Sequence, residues 1–200
     1  MQTKILRVGV TMRVVQAQGY DEPRDALAQN WSRFLEIALP QAIWLPLPNL
    51  GAEQILAYCN QWGINRLILT GGEDIGVSDV RDKTEFALLH WAEANDIPTL
   101  GVCRGMQLMS IWAGSDLKLV ENHISVRHLL NGVISGEVNS FHRLAPTKCP
   151  VSFKLLAKSE DGSIEAIRHE KKRMEGWMWH PERELPAQAT DIQQLQKLFT

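Results

Sequence analysis

Residues 98–113, PTLGVCRGMQLMSIWA, combine a strand pattern, a glycine-flanked turn and a helix pattern in one short segment. The apolar run up to Cys103 predicts a buried strand, and the apolar spacing that follows predicts a helix closed by Gly114. Gly101 and Gly105 flank the cysteine and permit a tight turn between these elements. The segment therefore predicts a strand-to-helix unit of an α/β fold.

The same alternation extends towards the N-terminus. Strand patterns at residues 4–10, 42–45, 65–70 and 98–103 alternate with helix patterns at residues 23–38, 51–62, 82–95 and 104–113. Pro23 is expected in a first helical turn, where proline is tolerated, and Pro46 is expected to end the second strand. Because strands that alternate with helices need right-handed crossovers, we expect a parallel sheet covered by helices on both faces.

The pattern changes from about Leu117 onward, where short apolar runs and turn residues replace the helical spacing. Strands are predicted at residues 163–169 and 174–179, joined by a charged turn, and a closing amphipathic helix is predicted at residues 191–199. These strands are expected to flank or extend the sheet. The whole chain, residues 1–200, is expected to form one α/β domain.

Composition excludes several classes of function. Hydrophobic residues make up 44% and charged residues 22% of the chain, which is ordinary for a globular protein. A net charge of −2 gives no electrostatic basis for binding nucleic acid or an anionic membrane. No apolar run approaches the length of a membrane span, and the apolar run within residues 1–10 is too short for a signal-peptide core. The three cysteines are irregularly spaced, which is typical of proteins in a reducing compartment. A cytoplasmic location is therefore expected.

The position of Cys103 in the sequence allows two interpretations. A buried cysteine at a strand end is often a packing residue, but ligands of open parallel sheets bind beyond the carboxyl ends of the strands. Between two glycines, Cys103 would occupy a turn similar to a nucleophile elbow. The free N–H groups and the dipole of the following helix would favour its thiolate form.

A proton shuttle for that thiolate is suggested near the other end of the chain. In Trp179-His180-Pro181-Glu182 the proline ends a strand and could hold His180 and Glu182 on one side of the turn. A structural histidine and a solvated carboxylate are the alternative. Acyl chemistry at a thiolate needs a histidine to move protons and a carboxylate to orient it, so the combination with Cys103 favours a catalytic role.

The motifs together resemble the class I glutamine amidotransferases and, within that superfamily, γ-glutamyl hydrolases of the γ-glutamyl-γ-aminobutyrate hydrolase type. The resemblance rests on five landmarks in the expected order. They are Gly9-Val10-Thr11 with Arg13, Thr70-Gly71-Gly72 with Asp74, the G-x-C-x-G-x-Q turn, Val138-Asn139-Ser140-Phe141-His142, and the Trp-His-Pro-Glu segment. The resemblance implies a flavodoxin-like fold with a mostly parallel central sheet, helices on both faces and a small additional β region.

The resemblance also implies residue roles. Cys103 would attack the γ-carbonyl of a glutamyl amide to form a thioester, His180 would move the protons, and Glu182 would hold its ring. An oxyanion hole would be formed by backbone N–H groups of Gly71, Gly72 and Arg104. Contacts to the substrate would come from Gln107, Asn139, Ser140, Phe141, His142 and Arg13. No cofactor is expected, and no metal site is predicted, because the spacing of Glu121, His123 and His128 matches no metal-binding signature.

The sequence leaves open which γ-glutamyl amide would be the substrate. Met178 stands where many glutaminases carry glutamine, and this chain contains no synthetase segment. These features are compatible with a stand-alone hydrolase of a small γ-glutamyl amide and with a glutaminase that pairs with a separate synthetase. The chain could also form a homo-oligomer. The chain is also similar to hydrolases of γ-glutamyl-CDP-amidate, which act in the phosphoramidate decoration of bacterial capsular polysaccharide. Candidates for contacts with such a leaving group are Arg13, Arg24, Arg104, His123 and Arg127.

Overall fold

The computed structural model describes residues 5–200, so residue 4 of the first predicted strand lies outside the described residues. Helices α1 to α5 span Asn30–Ala38, Ala52–Trp62, Asp79–Ala94, Arg104–Trp112 and Ala189–Phe199. Strands β1 to β13 span Arg7–Thr11, Arg13–Gln16, Pro23–Ala26, Ile43–Leu47, Arg66–Leu69, Thr99–Val102, Leu117–Leu119, Ile124–Gly132, Gly136–Phe141, Leu144–Pro146, Phe153–Lys158, Ile164–His169 and Met174–Trp177. A short 3-10 helix covers Pro181–Arg183.

The main sheet has nine strands in the order β4-β1-β5-β6-β13-β12-β11-β8-β9. Strands β4, β1, β5, β6 and β13 pair in parallel, and the pairings from β13 outward to β9 are antiparallel. Two small antiparallel pairs, β2 with β3 and β7 with β10, lie outside this sheet. The predicted α/β fold with a parallel central sheet is confirmed, and strands from the second half of the chain extend that sheet.

Helices cover both faces of the parallel strands. Helices α1 and α5 pack on one face, in a core that includes Ile68, and α2, α3 and α4 pack on the other, in a core that includes Leu67 and Leu69. Successive residues of β5 thus point to opposite faces, as the two-residue repeat of a strand requires. Among residues 5–200, no helix combines the length and apolarity that crossing a membrane would need.

The helix predicted from Pro23 is wrong over its first part. Pro23 begins β3, which pairs antiparallel with β2, and α1 starts only at Asn30. A proline with its fixed φ and no N–H group is accommodated at the first residue of an outer strand as well as in a first helical turn, so the residue alone did not distinguish the two. The resulting hairpin brings Arg13 beside Gly72.

Strand β4 extends further than predicted. Pro46 was expected to end it, but β4 continues to Leu47 with Pro46 opposite Val10 of β1. Proline is tolerated there because β4 is the edge strand of the sheet, where one side makes no ladder hydrogen bonds. At the end of α2, Gly63 is in the left-handed conformation and closes the helix as predicted.

Two tryptophans connect the end of β13 to helix α5. The rings of Trp177 and Trp179 are stacked, with centroids 5.3 Å apart and planes 4° from parallel. The indole N–H of Trp179 donates to Asp191 Oδ1 in the first turn of α5 at 3.2 Å. Burial raises the pKa of Asp191 to about 7; the hydrogen bond from Trp179 opposes this shift, and the charges of Glu184 and Glu182 add to it.

We expect Asp191 to make stability depend on pH. Its pKa lies above the ordinary value of 3.8, so its contribution is fully present below about pH 4 and is lost as the pH rises through about 7. Asp191→Asn should flatten this dependence by roughly 2–4 °C of melting temperature per pH unit. Thermal unfolding followed by circular dichroism from pH 4 to 8 measures it.

Asp21→Asn, at an exposed position, is the matched control and should melt in parallel with the wild-type protein at every pH. An equal pH slope in Asp191→Asn and the wild-type protein would contradict the assignment.

Candidate active site

Cys103 lies in a strained turn between β6 and α4. Its φ is 52°, in the left-handed region that residues other than glycine seldom adopt. The neighbouring glycines are required by close approach: a Cβ on Gly105 would lie 2.2 Å from the carbonyl oxygen of Leu69, and one on Gly101 would lie 2.7 Å from the backbone of Gly105. The turn thus has the tight geometry that the flanking glycines predicted, and Cys103 sits at the amino end of α4.

His180 and Glu182 follow β13, the parallel neighbour of β6. His180 Nδ1 and Glu182 Oε1 are 2.7 Å apart, and both side chains are almost fully buried. A Cβ placed on Gly71 would be 2.6 Å from His180 Cε1 and 3.5 Å from Cys103 Cβ, so the imidazole and the cysteine meet over this glycine. The three residues that the sequence singled out are therefore adjacent in the structure.

The electrostatics of this group favour a charged imidazole. Burial of the ring opposes the cationic form, but the charge of Glu182 and hydrogen bonds with Cys103 and Glu182 outweigh burial and raise the pKa of His180 to about 9. At neutral pH the ring is then predominantly an imidazolium that faces a cysteine. Such a pair offers both a nucleophile and a proton donor to a bound molecule.

Asn139 holds the backbone of His180. Its Nδ2 donates to the carbonyl of His180 at 2.8 Å and to Glu184 Oε1 at 2.6 Å, and its Oδ1 accepts from the backbone N–H of His180 at 3.0 Å. Asn139 was predicted as a substrate contact. The structure places its amide on the strand end that carries the histidine, so its contacts are those of a positioning residue.

The loop after β5 is fixed by a buried arginine that the sequence analysis did not identify. Arg81 of α3 is fully buried and donates to the carbonyl oxygens of Thr70, at 2.9 Å, and Gly71, at 3.1 Å. Gly72 has a φ of 151°, and a Cβ there would lie 2.3 Å from Arg81 Nη1. A side chain at this position would therefore displace the buried guanidinium that holds the loop.

Arg104 contributes to the site through its backbone. Its guanidinium is buried and bonds Asp82 and Glu85 of α3, so it is directed away from the cysteine. Arg104 is the first residue of α4, where backbone N–H groups have no acceptor within the helix. Arg104 directly follows Cys103, and a Cβ on Gly71 would lie 3.5 Å from Cys103 Cβ, so both backbone segments border the cysteine.

Two clefts flank the cysteine and the histidine. A cleft of about 140 Å³ is lined by Gly72, Asp74, Cys103, Arg104, Gln107, Ile124, Phe141, His142 and Arg143. A smaller one, about 40 Å³, lies on the other side and is lined by Arg13, Ala26, Leu27, Ala28, Trp31, Thr70, Gly71, Gly72, His180, Glu182 and Arg183. The site thus has two compartments, one on the Cys103 side and one on the His180 side.

Other predicted contact residues have mixed placements. Gln107 lines the larger cleft while its Nε2 donates to the carbonyl of Leu144 at 2.9 Å. Ser140 is buried and donates to the carbonyl of His123 at 2.7 Å. Phe141 packs edge-on against His180, with ring centroids 5.8 Å apart. The imidazole of His142 is buried beside His123.

Only one of the five candidates for leaving-group contacts borders the smaller cleft, and that residue is Arg13. Arg24 pairs with Glu22 at 2.6 Å, and Arg127 pairs with Glu137 at 2.9 Å and with Glu184 at 3.0 Å. The side chains of Arg104 and His123 are buried in other clusters.

Arg183, directly after the Trp-His-Pro-Glu segment, was missed. Its guanidinium lies 4.4 Å from the centre of the Phe141 ring at the edge of the smaller cleft. Arg143, which directly follows His142, was missed as well. It lines the larger cleft and pairs with Asp74, with Nε 3.0 Å from Oδ2.

The sheet order, the strained cysteine turn and the adjacent histidine agree with a match over residues 49–196 to the family model for class I glutamine amidotransferases. The chain belongs to that family.

Among curated relatives, the chain is 32% identical over 183 residues to the gamma-glutamyl-CDP-amidate hydrolase of Campylobacter jejuni, covering 88% of this chain and 90% of the relative. It is 34% identical over 147 residues to one subunit of the glutamine-hydrolyzing GMP synthase of Archaeoglobus fulgidus, covering 68% of this chain and 79% of the relative. Among solved structures, a glutamine amidotransferase of Thermotoga maritima has a similar fold, with a TM-score of 0.66, 15% identity and coverage of 98% and 84%.

We expect Asn139→Asp to lower stability, because a carboxylate cannot donate to the His180 carbonyl and would add negative charge beside Glu184. The free energy of unfolding should fall by about 1–3 kcal/mol. Urea denaturation at pH 7 measures it. Asn131→Asp, the same change at an exposed position of β8, is the control and should leave the midpoint nearly unchanged. Equal midpoints for both variants would show that the Asn139 contacts contribute little.

Proposed function

We propose that the chain is a cysteine-dependent hydrolase of a γ-glutamyl amide, in which Cys103, His180 and Glu182 form the catalytic triad. The observation that carries this proposal is the placement of Cys103, in a strained turn at the amino end of α4, beside a buried His180 that Glu182 holds at 2.7 Å. Membership of a family of glutamine-amide-cleaving enzymes supports the reaction class.

In the proposed reaction the Cys103 thiolate attacks the γ-carbonyl carbon and forms a C–S bond. The imidazolium of His180 gives its proton to the departing nitrogen as the C–N bond breaks, leaving a glutamyl thioester. Water then attacks the thioester, His180 accepts its proton, and the thiolate departs as free glutamate forms. N–H groups of Arg104 and the Gly71-Gly72 loop would stabilise the oxyanion in both steps.

The larger cleft suits the glutamyl part of the substrate. A glutamyl group carries an α-ammonium and an α-carboxylate, and the mouth of this cleft presents Asp74 and Arg143, one of each sign. On binding, the α-ammonium of the substrate would pair with Asp74 and its α-carboxylate with Arg143, in place of the exposed ion pair between these two side chains. Gln107 lies in the same cleft, one helical turn beyond Cys103.

For the leaving group, γ-glutamyl-CDP-amidate is the specific substrate that we propose, as a step towards phosphoramidate-modified capsular polysaccharide. The support is the 32% identity with a hydrolase of that name over 88% of the chain, together with Arg13 and Arg183 at the compartment on the His180 side. Guanidinium groups are suited to a diphosphate. The second candidate function, a glutaminase that feeds a separate synthetase, rests on the 34% identity with part of a GMP synthase.

Glutamate release from a panel of amides tests the reaction and separates these candidates. The panel consists of γ-glutamyl-CDP-amidate, γ-glutamyl-γ-aminobutyrate and free glutamine. We expect the first to be cleaved with the highest kcat/KM, and Cys103→Ala to reduce that value by about 10⁴-fold or more.

Cys149→Ala, at a partly buried cysteine outside both clefts, is the matched control and should retain the wild-type rate. Turnover that survives in Cys103→Ala would exclude the proposed mechanism. A preference for glutamine that increases on addition of a synthetase would favour the glutaminase function instead.

The pH profile tests the role of Glu182. Because the pKa of His180 is about 9, the imidazolium persists through neutral pH and is lost as the pH rises through 9. We expect kcat/KM to decline there. Glu182→Gln removes the negative charge, lowers the pKa of His180 and should move the alkaline limb to lower pH.

Glu36→Gln, an exposed site on α1, is the control for the profile and should superimpose on the wild-type curve. An alkaline limb that stays in place in Glu182→Gln would argue against coupling between Glu182 and His180.

A further inference from the structure

A second group of polar side chains is buried in the antiparallel part of the sheet, separate from Cys103 and His180. The imidazoles of His123, His128 and His142 and the carboxylate of Glu165 each offer one nitrogen or oxygen atom, and these four atoms lie within 4.8 Å of one another. His123 precedes β8, His128 lies in β8, His142 follows β9, and Glu165 lies in β12. We call these four residues the histidine cluster.

Three atoms of the histidine cluster, on His123, His142 and Glu165, are spaced as ligands of a tetrahedral metal ion would be. His123 Nδ1 is 3.3 Å from His142 Nε2, which is 3.3 Å from Glu165 Oε1. Glu165 Oε1 is also 3.5 Å from His123 Nδ1, and Glu165 Oε2 is 3.6 Å from His128 Nε2. Four ligands at bond lengths of 2.0–2.1 Å around one tetrahedral zinc ion are about 3.4 Å apart.

The carboxylate at the centre of the cluster is poorly satisfied by the protein alone. Glu165 is fully buried, and within residues 5–200 neither of its oxygens accepts a hydrogen bond of acceptable geometry. His128 Nε2 is unpaired over the same residues. A buried carboxylate is costly unless it is paired or bound to a metal. The partners of Glu165 are three imidazole nitrogens at 3.3–3.6 Å, longer than ordinary hydrogen bonds, and a metal ion at their centre would compensate its charge more directly.

A neighbouring aspartate orients His123. Asp161 Oδ2 lies 3.1 Å from His123 Nε2, and Asp161 is itself held by Ser159 Oγ at 2.6 Å and by the Ser163 backbone N–H at 2.9 Å. A proton on Nε2 that faces Asp161 leaves Nδ1 unprotonated and directed at the cluster. Carboxylates that bond the far nitrogen of a ligating histidine are typical of zinc sites.

We propose that His123, His128, His142 and Glu165 bind one Zn²⁺ ion that cross-links strands β8, β9 and β12. Imidazole nitrogen together with carboxylate oxygen is a zinc donor set, whereas Mg²⁺ and Ca²⁺ prefer oxygen alone. His123, His128 and Asp161 border a surface cleft of about 180 Å³, which gives an ion a path to the cluster. Four protein ligands complete a tetrahedral shell, so the ion is structural.

The ion would support the active site from a distance. Ser140 Oγ and the backbone N–H of His142 both donate to the carbonyl of His123, at 2.7 and 3.0 Å. The carbonyl of Glu165 accepts from the N–H of Met178 at 2.8 Å, two residues before His180. Fixing these strands fixes the segment that ends at His180 and the strand that carries Asn139.

The test uses the full chain in the Cys103→Ala form, so that a metal cannot bind the cysteine. Protein stripped with a chelator is titrated with Zn²⁺ alone, and bound metal is measured by inductively coupled plasma mass spectrometry. We expect about one Zn²⁺ per chain and a rise in melting temperature of roughly 5–10 °C in excess zinc. Co²⁺ in its place should give the intense visible absorption of a four-coordinate site.

In the same background, Glu165→Gln should abolish the zinc-dependent rise in melting temperature and the Co²⁺ spectrum. His128→Asn, at the partly exposed ligand, should weaken Zn²⁺ binding by about 10-fold or more while the protein stays folded. Glu121→Gln is the matched control, because this exposed carboxylate borders the same cleft but is not part of the cluster.

The proposal is overturned if the parent protein shows no zinc-dependent rise in melting temperature. It is also overturned if Glu121→Gln and His128→Asn bind Zn²⁺ equally well. In either case the histidine cluster is an ion-pair network of the protein alone. None of these measurements depends on hydrolysis, so their outcome is independent of whether the proposed activity is correct.

Discussion

Both loops of the candidate active site are held by buried guanidinium groups, and the two guanidinium groups bond the same carboxylate. Glu85 of α3 bonds Arg81 through Oε1 and Arg104 through Oε2. Arg81 holds the carbonyls of the loop after β5, while Arg104 is the first residue of α4. Glu73 is a second partner of Arg81 and Asp82 a second partner of Arg104, so both buried guanidinium groups are paired more than once. The separation of the two loops is therefore set by a single helix packed beneath them.

The local parts of the site could be predicted from the sequence. The turn at Cys103 follows from a strand pattern, a helix pattern and glycines placed where the backbone is crowded, and all three signals are contiguous. The sheet then brings His180 to the cysteine, because β13 lies beside β6 in parallel. The two residues are far apart in the sequence, but each could be assigned to a strand end, because glycines flank Cys103 and a proline follows His180.

The parts that depend on distant pairing could not be predicted. Arg81 is a charged residue in a helix, and nothing local distinguishes it from a solvated one. The first part of the helix expected from Pro23 is strand β3, which pairs with β2, and only the part from Asn30 onward is helical. Glu165 meets His123 and His142 only through the antiparallel extension of the sheet, whose register the short apolar runs of the second half do not specify.

The stacked indoles of Trp177 and Trp179 give this protein an optical property. Their planes are 4° from parallel with centroids 5.3 Å apart, close enough for their electronic transitions to couple. Such coupling depends steeply on mutual orientation and disappears when the two rings move independently. Because His180 directly follows Trp179, the contribution of this pair to the circular dichroism, obtained as the difference from a variant without Trp177, reports on order in the segment between β13 and the histidine.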